Sequence, residues 1–143
     1  MAGSVTQVAL KTIALEAASI SGLAEYINAD FEKAVQTIAQ CKGRIVVSGI
    51  GKSAIIAQKI VATFNSTGTP SIFLHAADAI HGDLGMVQQE DVVIIISKSG
   101  ESPEIKVLVP LIRNFKNPII AIVGNTGSYL AKNANIILNT TVE

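Results

Sequence analysis

The sequence predicts an α/β domain built on a five-stranded, doubly wound parallel sheet. Three observations carry that reading. Short β-branched runs at residues 44–48, 71–74, 92–96, 119–123 and 135–138 alternate with helix-spaced apolar stretches. The run Val92-Val93-Ile94-Ile95-Ile96 has no polar residue at alternate positions, as a central strand buried on both faces requires. Hydrophobic residues make up 49% of the chain but aromatics only 4%. Isoleucine, valine and alanine therefore supply the apolar bulk, which suits branched strands covered by small-residue helices. Right-handed crossovers and the expected strand order 2-1-3-4-5 put the topological switch point between strands one and three.

At 143 residues the chain is one domain, long enough to bury a substantial core. Eleven basic and eleven acidic residues give zero net charge, and the basic ones are scattered. A nucleic-acid partner is excluded on that ground, since it needs a basic stripe. Cys41 is the only cysteine, so neither a disulfide framework nor a Cys-based zinc site is expected. No membrane-length apolar run and no signal segment opens the chain, so the expected setting is soluble and cytoplasmic, with no membrane partner.

Residues 1–42 read as helices of the same domain. Val8, Leu15, Ile20, Leu23 and Ile27 are loosely helix-spaced, with a break expected near Ser21-Gly22. Phe31, Val35, Ile38 and Ala39 form a clearer amphipathic stripe, which Gly43 is placed to end. This is more helix than one sheet needs, so an N-terminal arm packing on a partner subunit is expected.

The α/β core is expected over residues 43–143. Strand one leads into Gly49-Ile50-Gly51-Lys52-Ser53, then a helix carrying Ile55, Ile56, Ile60 and Phe64. A P-loop would need a glycine where residues 44–46 stand. A dinucleotide fingerprint would need one at Ala54, although alanine is allowed there in some versions. No acidic residue ends the next strand to hold a ribose. Lys52, a cation at a helix start, opposes the helix dipole and suits an oxyanion better than it suits solvent.

After Gly68-Thr69-Pro70 the second strand runs into His75, and His81 follows six residues later. Both histidines of the protein lie in this stretch. As metal ligands they would need a third group, which Asp78 or Asp83 supplies in principle. Beyond the central strand comes Ser97-Lys98-Ser99-Gly100-Glu101-Ser102-Pro103-Glu104. Ser102 reads as an N-cap and Pro103 as the first helical position. A strand entering a hydroxyl-rich loop and a helix N-terminus is an anion site or an ordinary capped turn. Ile105, Leu108, Val109 and Ile112 then face the sheet, with Pro110 expected to bend their helix. Residues 119–123 form the fourth strand, Gly124-Asn125-Thr126-Gly127 a turn into a short helix, and residues 135–138 the fifth strand.

The serine loop resembles the phosphate loop of the sugar isomerase (SIS) domain, whose pattern is Ser-x-Ser-Gly-x-Ser/Thr. With Gly49-Ile50-Gly51-Lys52-Ser53, Ser66-Thr67-Gly68-Thr69-Pro70 and His81-Gly82-Asp83-Leu84-Gly85-Met86, the order and spacing are similar to those of the arabinose-5-phosphate isomerases. The resemblance covers the chain from about Asn28 onward. It implies a flavodoxin- or Rossmann-like SIS fold and an aldose–ketose isomerase. Such an enzyme interconverts ribulose 5-phosphate and arabinose 5-phosphate, the first step toward the Kdo sugar of lipopolysaccharide or capsule. It also implies that Ser97, Ser99 and Ser102 hold the phosphate beside Ser53. Lys52 and Glu104 fall on catalytic positions, His81 on a catalytic and sugar-contacting one, and Gly68, Thr69 and His75 on sugar-contacting ones. His75 also falls where relatives can take zinc, though no cofactor is required. Lys98 stands where the family more often has asparagine and adds a positive charge beside the phosphate. Family members continue past the fifth strand with a further glutamate, a histidine and usually two CBS domains, so the chain is expected to be a truncated SIS domain with little activity alone. Glu143 is not assigned the further glutamate's role.

The chemistry accounts for these residue types. The reaction removes a proton α to a carbonyl, passes through an enediolate and returns the proton to the neighbouring carbon. It needs a base within hydrogen-bond reach, here Glu104, and a cation at the developing oxyanion, here Lys52. His81 is suited to moving protons between oxygens. On position alone, Glu104 would merely compensate a helix dipole. Two other functions fit the same loop: a non-catalytic sugar-phosphate sensor, and an isomerase of a hexulose or heptose phosphate. A homodimer or homotetramer is expected in each case.

Overall fold

The computed structural model describes residues 3–142; Glu143 lies outside the described residues. Five strands, β1 (Ile45–Gly49), β2 (Ser71–His75), β3 (Val92–Ser97), β4 (Ile119–Val123) and β5 (Ile136–Asn139), form one all-parallel sheet in the order β2-β1-β3-β4-β5. The expected order is the observed one. The helices are α1 (Val5–Gly22), α2 (Ala29–Ala39), α3 (Lys52–Ser66), α4 (Ala76–Ala79), α5 (Pro103–Asn114) and α6 (Tyr129–Asn133). Short 3₁₀ turns fill Leu23–Tyr26 and Asp83–Met86.

Successive strand residues point to opposite faces, so two core layers form. On one face Val46, Val93, Ile95, Ile119 and Ala121 meet Ile105, Leu108, Val109 and Ile112 of α5 and Leu130 of α6. Each of those α5 side chains is fully buried, as the sequence spacing predicts. On the other face Ile45, Val47, Ile94, Ile120 and Ile136 meet Ala34 of α2 and Ala57 of α3. α5 continues past Pro110, which sits on its exposed side, to Asn114.

Close approach shapes the packing in two places. Ile55 and Ile56 of α3 do not face the sheet; they are 65% and 54% exposed, while Ala54 and Ala57 are buried and Ile60 and Phe64 pack against the core further along. The start of the helix lies close to β1. A Cβ on Gly49 would stand 3.0 Å from the Ser53 carbonyl carbon. Gly43 does not cap α2 either, since that helix ends at Ala39 with Gln40 as its cap. Its role is close packing, because a Cβ there would lie 2.6 Å from the Glu90 backbone.

The arm is a helix apart. α1 starts with a capping box, Ser4 and Gln7 each bonding the other's backbone N–H, but none of its residues is buried. Val5, Val8, Leu10, Ile13, Leu15 and Ile20 are all exposed. Among the described residues no helix is long and apolar enough to cross a membrane.

The N-terminal edge of the sheet is closed by polar contacts. Asp91, 1% exposed, accepts the N–H groups of Arg44 and Gln88 at 2.7 Å each and pairs with the Arg44 guanidinium at 3.3 Å. Asn117 Nδ2 donates to the carbonyls of Asp91 at 2.8 Å and Gln88 at 2.9 Å. These bonds tie the starts of β1, β3 and β4 together. Asp91→Ala leaves two backbone N–H groups without their acceptor and a guanidinium without its anion. We expect it to lower unfolding free energy by about 2–4 kcal/mol in urea denaturation, chiefly from the two stranded N–H groups, since the Arg44 side chain is 36% exposed and its pairing counts for less.

Candidate active site

All five strands end on the opposite edge, where Gly49 pairs with His75, Ser97 with Val123 and Val123 with Asn139. The loops after β1, β3 and β4 meet there around a pocket of about 480 Å³ lined by Ile50, Ser53, Ser97, Ser99, Ser102 and Gly124, among others. This is the switch point that the strand order predicts.

Two helix N-termini open into this pocket, and neither is capped by a side chain. α1, α2 and α6 begin with Ser4, Asn28 and Ser128, whose side chains accept a helix N–H. α3 begins after Gly51, at φ 60° and ψ −130°, which has no side chain to cap with. α5 begins after Ser102, which stands at the N-cap position but makes no cap bond. The Ser102 hydroxyl is buried and has no hydrogen-bond partner. Each free N-terminus leaves N–H groups and a partial positive charge facing outward. Leaving a buried hydroxyl unpaired costs on the order of 1–3 kcal/mol, which makes Ser102 a candidate donor to a ligand. An anion placed there would meet all three groups at once.

The serine loop is preformed. Ser97 Oγ accepts the Gly100 N–H at 3.0 Å and Ser99 Oγ accepts the Glu101 N–H at 3.2 Å. Each hydroxyl still has its own proton to donate outward. Gly100, at φ 67°, has no room for a side chain, because a Cβ there would overlap Ser128 Oγ. Its carbonyl accepts the Leu130 N–H at 3.1 Å. Glu101 accepts the Tyr129 N–H at 2.7 Å and pairs with Lys106 at 2.9 Å. Lys106 and, next, the Tyr129 N–H hold the Glu101 carboxyl below the ordinary carboxylate value.

The predicted site residues divide into three groups. Ser53, Ser97, Ser99 and Ser102 line the one pocket. Lys52 is exposed at the first position of α3, next to Ser53, and Glu104 is half-buried in the first turn of α5, two residues from Ser102. Neither lines the pocket itself. His75 stands at the end of β2, where its Nδ1 accepts the Ala77 N–H at 3.2 Å and its ring meets Phe73 edge-on at 6.1 Å. His81 is exposed after α4. Gly68 and Thr69 precede β2, so they lie at the other edge of the sheet, about 15 Å away along a five-residue strand.

Among the described residues no three His, Cys, Asp or Glu side chains gather as a metal-binding group. With Nδ1 already accepting a backbone proton, His75 offers one free ring nitrogen and no partner ligands. The donor set does not fit zinc, and that reading of His75 gains no support.

Sequence reasoning missed Glu101, whose partner on α6 lies 28 residues away and leaves no local signal. It also missed Gly124 and Asn125 as pocket walls. Their signal was present: they follow the strand next to β3, at the same edge. The depressed Glu101 ionisation sets a pH dependence. Its contribution to loop order is full above the ordinary carboxylate value of 4.5 and is lost as pH falls through the lower folded-state value. The Tyr129 amide resonance should therefore titrate in acid in the wild-type chain. Glu101→Gln should remove that step.

A family model described as the SIS domain matches residues 37–143. Over 137 residues the chain is 44% identical to a probable arabinose 5-phosphate isomerase of Haemophilus influenzae, covering 96% of this chain and 41% of that protein. It is 46% identical over 132 residues to arabinose 5-phosphate isomerase KdsD of Escherichia coli K12, covering 92% and 40%. The chain thus spans about two fifths of the length of these relatives. Among solved structures, a protein of Escherichia coli CFT073 in complex with arabinose 5-phosphate superposes with a TM-score of 0.84 at 36% identity, covering 99% of this chain and 77% of that one. A phosphoheptose isomerase of Francisella tularensis shares the fold, with a TM-score of 0.77 at 19% identity over 99% and 87% of the two chains. The family match spans the sheet and every loop around the pocket, and the chain belongs to the SIS domain family.

Proposed function

We propose that the chain is the sugar-phosphate-binding core of a cytoplasmic aldose–ketose isomerase that interconverts ribulose 5-phosphate and arabinose 5-phosphate. The observation that carries this reading is the pair of uncapped helix N-termini converging on the unpartnered Ser102 hydroxyl. The names of the relatives at 44% and 46% identity support the choice of sugar.

In this reading the phosphate sits against the N-terminus of α5 and accepts hydrogen bonds from Ser99, Ser102 and the outward proton of Ser97. Ser53 donates from the N-terminus of α3. The sugar then extends along the edge of the sheet toward the end of β2. Glu104, in the first turn of α5, takes the proton α to the carbonyl and returns it to the neighbouring carbon. Lys52 faces the oxygen on which the enediolate charge develops, where a fixed cation is worth more than in water. His81 relays protons between the two oxygens. Gly68 and Thr69 reach such a ligand only from a second copy, since the sheet separates them from this one.

A homodimer or homotetramer follows from the same surface logic. α1 is apolar along its length yet buries nothing in its own chain, and Ile55, Ile56, Phe31 and Val35 expose further apolar area. A face of that size marks an interface. Light scattering should return the mass of at least two chains; a monomer at micromolar concentration would refute this part.

Replacing Ser99 and Ser102 together with alanine should weaken arabinose 5-phosphate binding by about 2–4 kcal/mol in calorimetry, with the fold unchanged. Unchanged affinity in the folded double variant would overturn the phosphate assignment. In a longer protein that carries this domain, Lys52→Met should lower turnover of ribulose 5-phosphate by roughly 10²–10³-fold while affecting affinity far less.

A further inference from the structure

We infer that Lys98 is a second-charge contact for the phosphate, supplying the positive charge that the two helix ends leave short of a dianion. The inference rests on the sugar-phosphate reading above. Two helix N-termini contribute roughly half a positive charge each. Together they balance about one of the two charges of a phosphate monoester. The rest needs a cation, and Lys52 is assigned to the reacting end of the sugar.

Lys98 is the cation placed for this. It lies between Ser97 and Ser99, the two serines whose hydroxyls brace the loop, and it lines the pocket with them. Its backbone is fixed, since its carbonyl accepts the Gly124 N–H at 3.0 Å. Its stem lies along the Gly124 backbone, where a Cβ on Gly124 would stand 3.2 Å from Lys98 Cγ. Gly124 thus leaves a track for the side chain. Lys98 also lines a second recess of about 360 Å³ that shares Ser53, Ile96, Lys98 and Gly124 with the first, so it stands on the wall between them.

No described residue neutralises it. The ion pairs among the described residues are Arg44–Asp91 and Lys106–Glu101, and Lys98 is in neither. Glu101, the acidic residue nearest in sequence, is turned away to Lys106 and the Tyr129 N–H. The walls from the β4–α6 loop and the C-terminal segment present Gly124, Asn125, Thr140 and Val142, all uncharged. A free, exposed ammonium on a braced loop beside two positive helix ends is placed to meet an anion.

Isothermal calorimetry with inorganic phosphate, at two ionic strengths, tests this on the wild type, Lys98→Met, Lys98→Arg and Ser102→Ala. Lys98 is exposed, so its variants keep the fold, which thermal unfolding checks. We expect Lys98→Met to bind about ten-fold more weakly and with a flatter salt dependence, the loss of one charge-assisted contact. Lys98→Arg should stay within about three-fold of the wild type, since it keeps the charge. If Lys98→Met binds like the wild type while Ser102→Ala does not, the inference fails and the phosphate pocket stands. If Lys98→Arg loses as much as Lys98→Met, the residue acts through loop shape and the charge role is overturned. If the wild type binds no phosphate, or Ser102→Ala costs nothing, the sugar-phosphate reading itself falls.

Discussion

The structure around the pocket depends on one close approach, that of Gly100 to Ser128. No side chain fits between them, and the positive φ at Gly100 would strain any other residue. The contact sets the loop after β3 directly on the start of α6. Everything else in the loop follows from that position. The Gly100 carbonyl reaches the Leu130 N–H, Glu101 reaches the Tyr129 N–H, and Ser97 and Ser99 turn inward to brace the backbone. With Glu101 drawn toward α6, the serine loop carries no uncommitted carboxylate on its pocket side. That suits the loop to the anion proposed for it.

The two edges of the sheet treat polar groups in opposite ways. At the N-terminal edge, Asp91 and Asn117 collect backbone donors and acceptors from three strands and leave only Asn117 Oδ1 without a partner. At the C-terminal edge, two long helices start uncapped and the Ser102 hydroxyl is idle. Ser48, just below in β1, also has a buried hydroxyl without a partner. One edge is closed almost entirely by the protein's own groups, while the other keeps two buried hydroxyls unpaired. Such local departures from polar satisfaction are common at functional sites.

The helical layer shows a related division. α5 buries four large side chains and anchors the serine loop from behind, each such side chain contributing about 1.5–3 kcal/mol of burial. α3 instead approaches β1 through Ala54 and Ala57 and turns Ile55 and Ile56 outward, while Ile60 and Phe64 pack on the core. Close approach brings the α3 N-terminus to the pocket, and the outward isoleucines join the exposed apolar area of α1 and α2. The geometry that brings the two helix ends together thus also leaves apolar side chains of α1, α2 and α3 on the surface.

The sequence by itself determined the sheet, its order and the loop that matters. Unbroken β-branched runs alternating with helical stretches point to a parallel sheet covered on both faces, and the hydroxyl-rich loop that follows the central strand lies at that strand's C-terminal end. It also placed Ser53, Ser97, Ser99 and Ser102, because residues at adjacent strand ends are neighbours once the order is known. What the tertiary structure decided depends on distances between elements. The sequence put Ile55, Ile56, Ile60 and Phe64 on one helix without deciding which of them face the sheet; packing turns Ile55 and Ile56 outward and keeps Ile60 and Phe64 against the core. Position assigned Ser102 to a cap, but the loop's seat on α6 leaves its hydroxyl free. Gly68 and Thr69 were grouped with the site on resemblance, yet strand direction puts them at the far edge. Local pattern encodes which residues form an element and which way it runs. How closely two elements approach, and therefore which polar groups remain for a ligand, is settled only when they pack.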